Sequence, residues 1–278
     1  MMADSQPQID DKTKAKPEDE LAGSEAPLLE HLIELRKRLI NSAIAVVVLM
    51  VVCFIFAGQI FDLLLNPYRS IYPNPGDMEL IYTAPQEFFF TQLNLSLFGA
   101  VFLGFPFIAT QVYRFVAPGL YKHERRALVP YLVATPVFFL LGAAMVYFVV
   151  LPMALGFFAG MQTDEIKLLA RVSEYLGLAT TLILAFGICF QLPVVLTLLA
   201  QIDLVNVDML RKGRRYAIVG ILIVAALVSP PDPISQIGLA MPMYALYELA
   251  ILSVRWVQKR REAALAAQDA ELNSSSSE

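Results

Sequence analysis

A run of 23 residues without a charged side chain, residues 39–61, decides the solvent in which this chain folds. At ~1.5 Å per residue, a helix of that length crosses a hydrocarbon core of ~30 Å. Inside that core each backbone N–H and C=O needs a partner within the protein, so the run is read as a helix. Five more apolar runs follow. Residues 88–113 are uncharged but carry Thr91, Gln92, Asn94 and Ser96 near their start. Residues 127–163 are too long for one straight span, and Pro130, Pro136 and Pro152 punctuate them. That spacing predicts a span to about Leu151 and a non-spanning continuation. Residues 175–202 predict a fourth span, interrupted by Gln191 and Pro193.

The last two runs, 216–229 and 234–247, are only 14 residues each, with Pro230-Pro231-Asp232-Pro233 between them. Fourteen helical residues reach ~21 Å, short of the core thickness. A re-entrant pair, a pair shielded inside a bundle, and a full pair that thins the bilayer all remain open. The predicted spans are about 39–61, 88–111, 127–151, 175–200, 216–230 and 234–254.

Composition agrees with a membrane solvent. Charged residues make up 17% of the chain, against about 25% in soluble domains, and they cluster between the runs. Of the 21 Lys and Arg, most sit at one side. These are the tail lysines, Arg36-Lys37-Arg38, Arg114 with Lys122, Arg125 and Arg126, the 211–215 group, and the group from Arg255 to Arg261. Only Arg69, Lys167 and Arg171 fall on the other side. Positive loops stay in the cytoplasm, so all six runs cross and both termini are cytoplasmic. A re-entrant final pair would preserve the same split.

The remaining segments are polar. Residues 1–27 hold Asp4, Asp10, Asp11, Glu18, Asp19, Glu20 and Glu25 against three lysines and no aromatic residue, which predicts a disordered tail. Residues 28–257 form the membrane domain and 258–278 a second cytoplasmic tail, helical before it frays. On the outer side, residues 62–87 carry four prolines and are expected to be an ordered, irregular cap rather than a helix. Residues 152–174 suggest a short amphipathic helix at the outer surface. Cys53 and Cys189 lie in separate apolar runs and read as small buried hydrophobes.

Catalysis finds no support in the residues. The histidines are His31 and His123, neither in a zinc-helix motif, and no nucleophile elbow or P-loop occurs. No span contains an Asp, which removes an intramembrane aspartyl protease. No cofactor, no metal and no nucleic-acid partner are expected. A secondary transporter would need polar groups at mid-membrane on broken helices in repeated halves. Gln191 beside Pro193 has no counterpart in the first half, so this is the alternative rather than the leading reading.

Two carboxylates stand out. In residues 28–40, LLEHLIELRKRLI, the leucines line one helical face, with Glu30, His31, Glu34, Lys37 and Arg38 opposite. Glu34 has a local partner at i,i+4 in Arg38. Arg36 projects from inside the apolar arc, where a snorkelling stem would suffice. Glu124, in YKHERR, is a lone acid among basic neighbours at the same membrane level. Two carboxylates on a positive face suit a ligand with two adjacent guanidiniums, because Arg–carboxylate pairs are bidentate and charge-assisted. Deeper in the runs, Glu248 is open to a functional or a structural reading, and Gln236 reads as interhelical glue. Gln191 reads as a partner for backbone freed by Pro193.

Three segments, HLIELRKRL (residues 31–39), FVAPGLYKHERR (115–126) and SPPDPISQ (229–236), closely resemble the signature segments of the TatC family, the twin-arginine protein translocase subunit. The resemblance runs from about Leu28 to Arg261 with the segments in the family's order. It implies an all-α integral membrane protein of six transmembrane helices, concave and glove-like, with short last two helices and both termini inside. It implies a receptor in the bacterial cytoplasmic membrane that binds twin-arginine signal peptides of folded proteins. Such a receptor nucleates a multimeric complex with TatA- and TatB-like single-span partners, and export draws on the proton-motive force. Glu34 and Glu124 match the family's signal-binding glutamates, Arg36 its first-segment arginine, Pro67 its outer-loop proline and Asp232 the acid of the last turn. Many relatives carry glutamate where this chain has Gln191, which puts any ionisable role there in question.

Overall fold

The computed structural model describes residues 17–71, 80–116, 128–162, 169–228 and 233–275. Among these the chain is almost wholly helical. Its elements are α1 (Pro17–Ile55), α2 (Ala57–Arg69), β1 (Leu80–Ile81), α3 (Glu87–Val116) and α4 (Leu128–Met145). A π-helical segment (Val146–Val150) leads into α5 (Leu151–Gly160), then β2 (Ala170–Arg171), α6 (Val172–Cys189), α7 (Leu192–Gln201), α8 (Val207–Val228) and α9 (Pro233–Ser275). Among the described residues, five stretches are long and apolar enough to cross a membrane: His31–Ile55, Glu87–Phe115, Pro130–Gly160, Val172–Gln201 and Gln236–Ala263. The chain is therefore an all-helical, multi-pass membrane protein. Helix α8 falls outside that set because Arg211, Lys212, Arg214 and Arg215 occupy its first half.

Helix α1 lies along α3, α4 packs on α6, and α9 packs on α7 and α8. The buried core threads α2, α3, the π segment, α6 and α9, through residues such as Tyr68, Leu95, Val146, Leu182, Phe186 and Val254. Helices α4 and α6 meet through two glycines. A Cβ on Gly142 would lie 2.7 Å from the Phe186 carbonyl oxygen, and one on Gly187 would enter the Phe139 ring at 2.5 Å. Small residues at such crossings let backbones approach closely where lipid offers no hydrophobic drive.

Several expectations are corrected. Helix α1 begins at Pro17, inside the stretch 1–27 expected to be disordered; the fixed φ of proline suits a first helical position. The first apolar run does not continue as one helix to Phe61. Its helix ends at Ile55, where Phe56 (φ −99°, ψ 14°) donates its N–H to Cys53 O at 3.1 Å and the chain restarts as α2.

Residues 62–69 are helical rather than irregular, with Pro67 inside α2. A proline there removes the N–H that would bond Leu63 O. Tyr147, on the π segment, donates its hydroxyl to that oxygen at 2.8 Å, and Tyr175 on α6 donates to Leu64 O at 2.6 Å. Two tyrosines from other helices thus satisfy the backbone of the turn that the proline disturbs. Tyr147→Phe should lower stability by roughly 1–2 kcal/mol, the cost of an unmet carbonyl. Thermal unfolding of the purified protein in detergent measures it, with the exposed Tyr82→Phe as an unchanged control.

Pro152 does not end its span either. The clash of a proline ring with the carbonyl four residues back is relieved by the wide π turn just before it, and the helix runs on to Gly160. The break at Gln191 and Pro193 is present as expected: α6 stops at Cys189, and Phe190-Gln191 turn into α7.

At the end of the bundle away from the basic groups, Leu80–Ile81 and Ala170–Arg171 pair as parallel strands. Of the stretch 152–174, expected to hold a short surface helix, residues 152–160 continue the third long apolar stretch as part of α5, Ala170–Arg171 are extended and α6 begins at Val172, while residues 163–168 lie outside the described residues. Glu87 at the start of α3 fastens both segments: it accepts from Thr83 N (2.8 Å), Thr83 Oγ1 (3.1 Å) and Ser173 Oγ.

Candidate functional site

Helix α1 is turned opposite to a helix of a soluble protein. Leu32, Ile33, Leu35 and Leu39 point away from the bundle and are exposed, while the half-buried Glu34 and Arg38 face α3. In lipid the apolar arc belongs outside, so the polar stripe is what remains to pack on protein. Two contacts, His31 with Phe115 and Arg38 with Gln111, register α1 against α3 along this stripe, and two more brace Arg38 within α1. His31 stacks on Phe115 with ring centroids 4.2 Å apart and planes at 26°. The Arg38 guanidinium donates through Nη2 to Glu34 Oε1 at 2.8 Å and through Nη1 to Gln111 Oε1 at 3.3 Å. Ser42 Oγ donates to Arg38 O at 3.0 Å.

Beside these groups opens a recess of ≈ 350 Å³ lined by Ile33, Glu34, Lys37, Arg38 and Asn41. It places one carboxylate beside two cationic side chains. Such an arrangement holds a cation with several N–H donors, provided the internal guanidinium yields its place. Arg36 takes no part. Its side chain is exposed on the leucine face and has no described contact with α3, which fits a snorkelling stem.

Glu124 and Asp232 lie outside the described residues, so the second carboxylate of the expected pair is not located. Pro67 sits in α2, with the backbone role given above. Gln236 donates to Leu222 O at 3.1 Å and joins α9 to α8. Glu248 forms an ion pair with Arg214 at 2.8 Å and accepts the Tyr244 hydroxyl at 2.8 Å. Both are structural ties between the last two helices. Gln191 serves backbone across helices, donating to Thr135 O of α4 at 3.0 Å and to Gly187 O at 3.4 Å. The Gly187 oxygen is the one left open by the turn at Phe190-Gln191. No ionisable group is needed for this work.

Gln111 was missed by sequence reasoning. It is 5% exposed, and its signal was available: a lone amide near the end of an otherwise apolar run, at the level of the Glu34 charges.

At the same basic end, α9 extends past the membrane and holds the turn between α7 and α8. Asp203, in the left-handed region (φ 58°), pairs with Arg261, and Gln258 Oε1 accepts from Val207 N at 3.4 Å. Asn206 caps α8 by accepting from Met209 N at 2.8 Å. Arg260 lies over the Trp256 ring, 3.5 Å from its centroid.

Comparison with known proteins gives this arrangement its context. The family model for the Sec-independent protein translocase protein (TatC) matches residues 30–242. The Sec-independent protein translocase protein TatC of Magnetococcus marinus is 44% identical over 246 residues, covering 88% of this chain and 90% of that one. Its counterpart from Escherichia coli K12 is 40% identical over 230 residues, covering 83% and 88%. A crystal structure of the twin-arginine translocase receptor TatC superimposes with a TM-score of 0.75 at 35% identity, over 82% of this chain and 99% of that one.

Proposed function

Since the chain belongs to the TatC family and is a subunit of the twin-arginine translocase, we propose that it is the receptor of that complex and that Glu34 is half of its signal clamp. The role is transport rather than catalysis. The observation that carries the reading is a carboxylate at an open recess that already accepts a guanidinium, Arg38, at 2.8 Å. A site that docks one guanidinium is built for another of the same shape. Glu124 supplies the second carboxylate, and the two hold adjacent arginines of a signal peptide whose apolar part follows the concave membrane face.

The test compares twin-arginine and twin-lysine peptides. Glu34→Ala and Glu124→Ala should each weaken the twin-arginine peptide about 10- to 100-fold, the loss of one or two charge-assisted hydrogen bonds. The twin-lysine peptide should lose far less. Equal loss for both peptides removes a specific clamp.

The topology proposed with it has six crossings and both termini in the cytoplasm of a bacterial inner membrane. The apolar half of α8 is short, so α8 crosses where the bilayer thins. Partners are TatA- and TatB-like single-span helices, and the exposed α8 residues Val219, Ile223, Val224 and Leu227 give one of them a packing face. Folded cargo needs a path wider than this bundle, so it crosses through the assembled complex, driven by the proton-motive force.

A further inference from the structure

We propose that Arg38 is a built-in stand-in for the ligand's arginine, and that Gln111 is the place to which it withdraws when a signal peptide arrives. The inference rests on the reading of Glu34 as a guanidinium receptor and assigns two positioning residues to it.

The geometry carries three points. Glu34 is not vacant: Oε1 accepts from Arg38 Nη2 at 2.8 Å, and both side chains are half-buried against α3. Arg38 has two acceptors on two helices, one charged and one neutral, because Nη1 reaches Gln111 Oε1 at 3.3 Å. Gln111 is almost wholly buried, and its amide oxygen is turned to α1, where no other described donor reaches it. A buried amide aimed at a guanidinium that already has a carboxylate is redundant in the empty state. It ceases to be redundant once the carboxylate is taken by something else.

Binding is then an exchange. The incoming guanidinium takes Glu34, and the Arg38 head group turns on its Nη1 contact toward Gln111, keeping a partner and leaving the recess beside Lys37 and Asn41 to the ligand. The apparent affinity falls by the fraction of receptors in which Arg38 still holds Glu34. That factor is common to every ligand that takes Glu34, so it leaves the ratio of two affinities as it was and raises the threshold for occupancy. A planar fork matches a carboxylate through paired N–H groups, whereas an ammonium is a point charge with strong hydration. An arginine in the ligand regains the bonds that it breaks and clears the threshold, and a lysine does not.

The test is peptide binding to the purified full-length protein in nanodiscs, with twin-arginine and twin-lysine peptides on Arg38→Gln, Arg38→Lys, Gln111→Leu and Glu34→Gln. Arg38→Gln should raise the affinity for both peptides together, about tenfold or more, one charge-assisted hydrogen bond being worth at least that. The preference ratio should stay as it is. Arg38→Lys should fall between the wild type and Arg38→Gln. Gln111→Leu should weaken the twin-arginine peptide while Arg38 is present and have no effect on the Arg38→Gln background. A merely structural Arg38 would instead leave both affinities unraised or lower them, which overturns the proposal. Glu34→Gln separates the layers: lost binding there with no gain in Arg38→Gln sinks the exchange and keeps the receptor site. Unaffected binding in Glu34→Gln sinks both.

Discussion

Gly142→Val should prevent α4 and α6 from packing, with a loss beyond about 3 kcal/mol and, in cells, little accumulated protein. Even the first added carbon would stand 2.7 Å from the Phe186 carbonyl oxygen, with the backbone of Gly187 at 3.0 Å. A flexible side chain could yield, but a main-chain oxygen already bonded within a helix cannot do so alone. That oxygen also accepts the Phe190 N–H at 2.8 Å, the bond that closes the last turn of α6. Pushing it away would open the junction where Gln191 reaches Thr135 O on α4. The damage therefore spreads from one crossing to the α6–α7 turn. Gly156→Ala is the control, because nothing lies within 4 Å of a Cβ there. It should be neutral or gain up to ~1 kcal/mol from helix propensity. Thermal unfolding in detergent separates the two, and equal behaviour of the two variants would remove the close approach from the account of the fold.

Glu248→Ala should be the more damaging of two matched deletions at the α8–α9 seam, because it strands Arg214. The pair is 2.8 Å apart, and Tyr244 donates to the other carboxylate oxygen. Removing one member of a fully buried pair costs about 3–5 kcal/mol. Arg214 and Glu248 remain 44% and 32% exposed, which brings the expectation down to roughly 1–3 kcal/mol. The double variant Arg214→Ala with Glu248→Ala should recover most of that loss, since it removes the stranded charge together with its partner. Additive losses in the double-mutant cycle would show that the two residues act separately.

What the sequence made legible follows the range of the forces involved. Uncharged length alone located four of the long apolar stretches, because crossing a bilayer depends on that length, whereas Gln236–Ala263 showed only as a 14-residue run cut short by Glu248. The Gln191–Pro193 break was legible because proline removes a donor wherever it stands in a helix. Pro67 and Pro152 carried the same signal and were misread, for reasons that lie far away in the chain. Pro67 stays helical because Tyr147, 80 residues on, meets the carbonyl it frees. Pro152 stays helical because a π turn precedes it, and no residue pattern announced that turn.

The candidate site divides in the same way. The Glu34–Arg38 pair is an i,i+4 contact and was readable from spacing. Gln111 joins it from 73 residues away, through the helical phase of α1 against α3, which a single sequence does not contain. Glu124 stood out as a lone acid among basic neighbours, and Asp232 was singled out by resemblance alone.

Helix α9 carries a mechanical consequence. Its 43 residues make a rod of ~65 Å, about twice the hydrocarbon thickness. From Met243 to its end it contains no proline or glycine at which to flex. The seam with α8 lies along one half, and the turn held by Gln258 and Arg261 lies just beyond it. A rod gripped at both places works as a lever. Any helix that wedges against the apolar half of α9 must swing its far end and drag the α7–α8 turn with it.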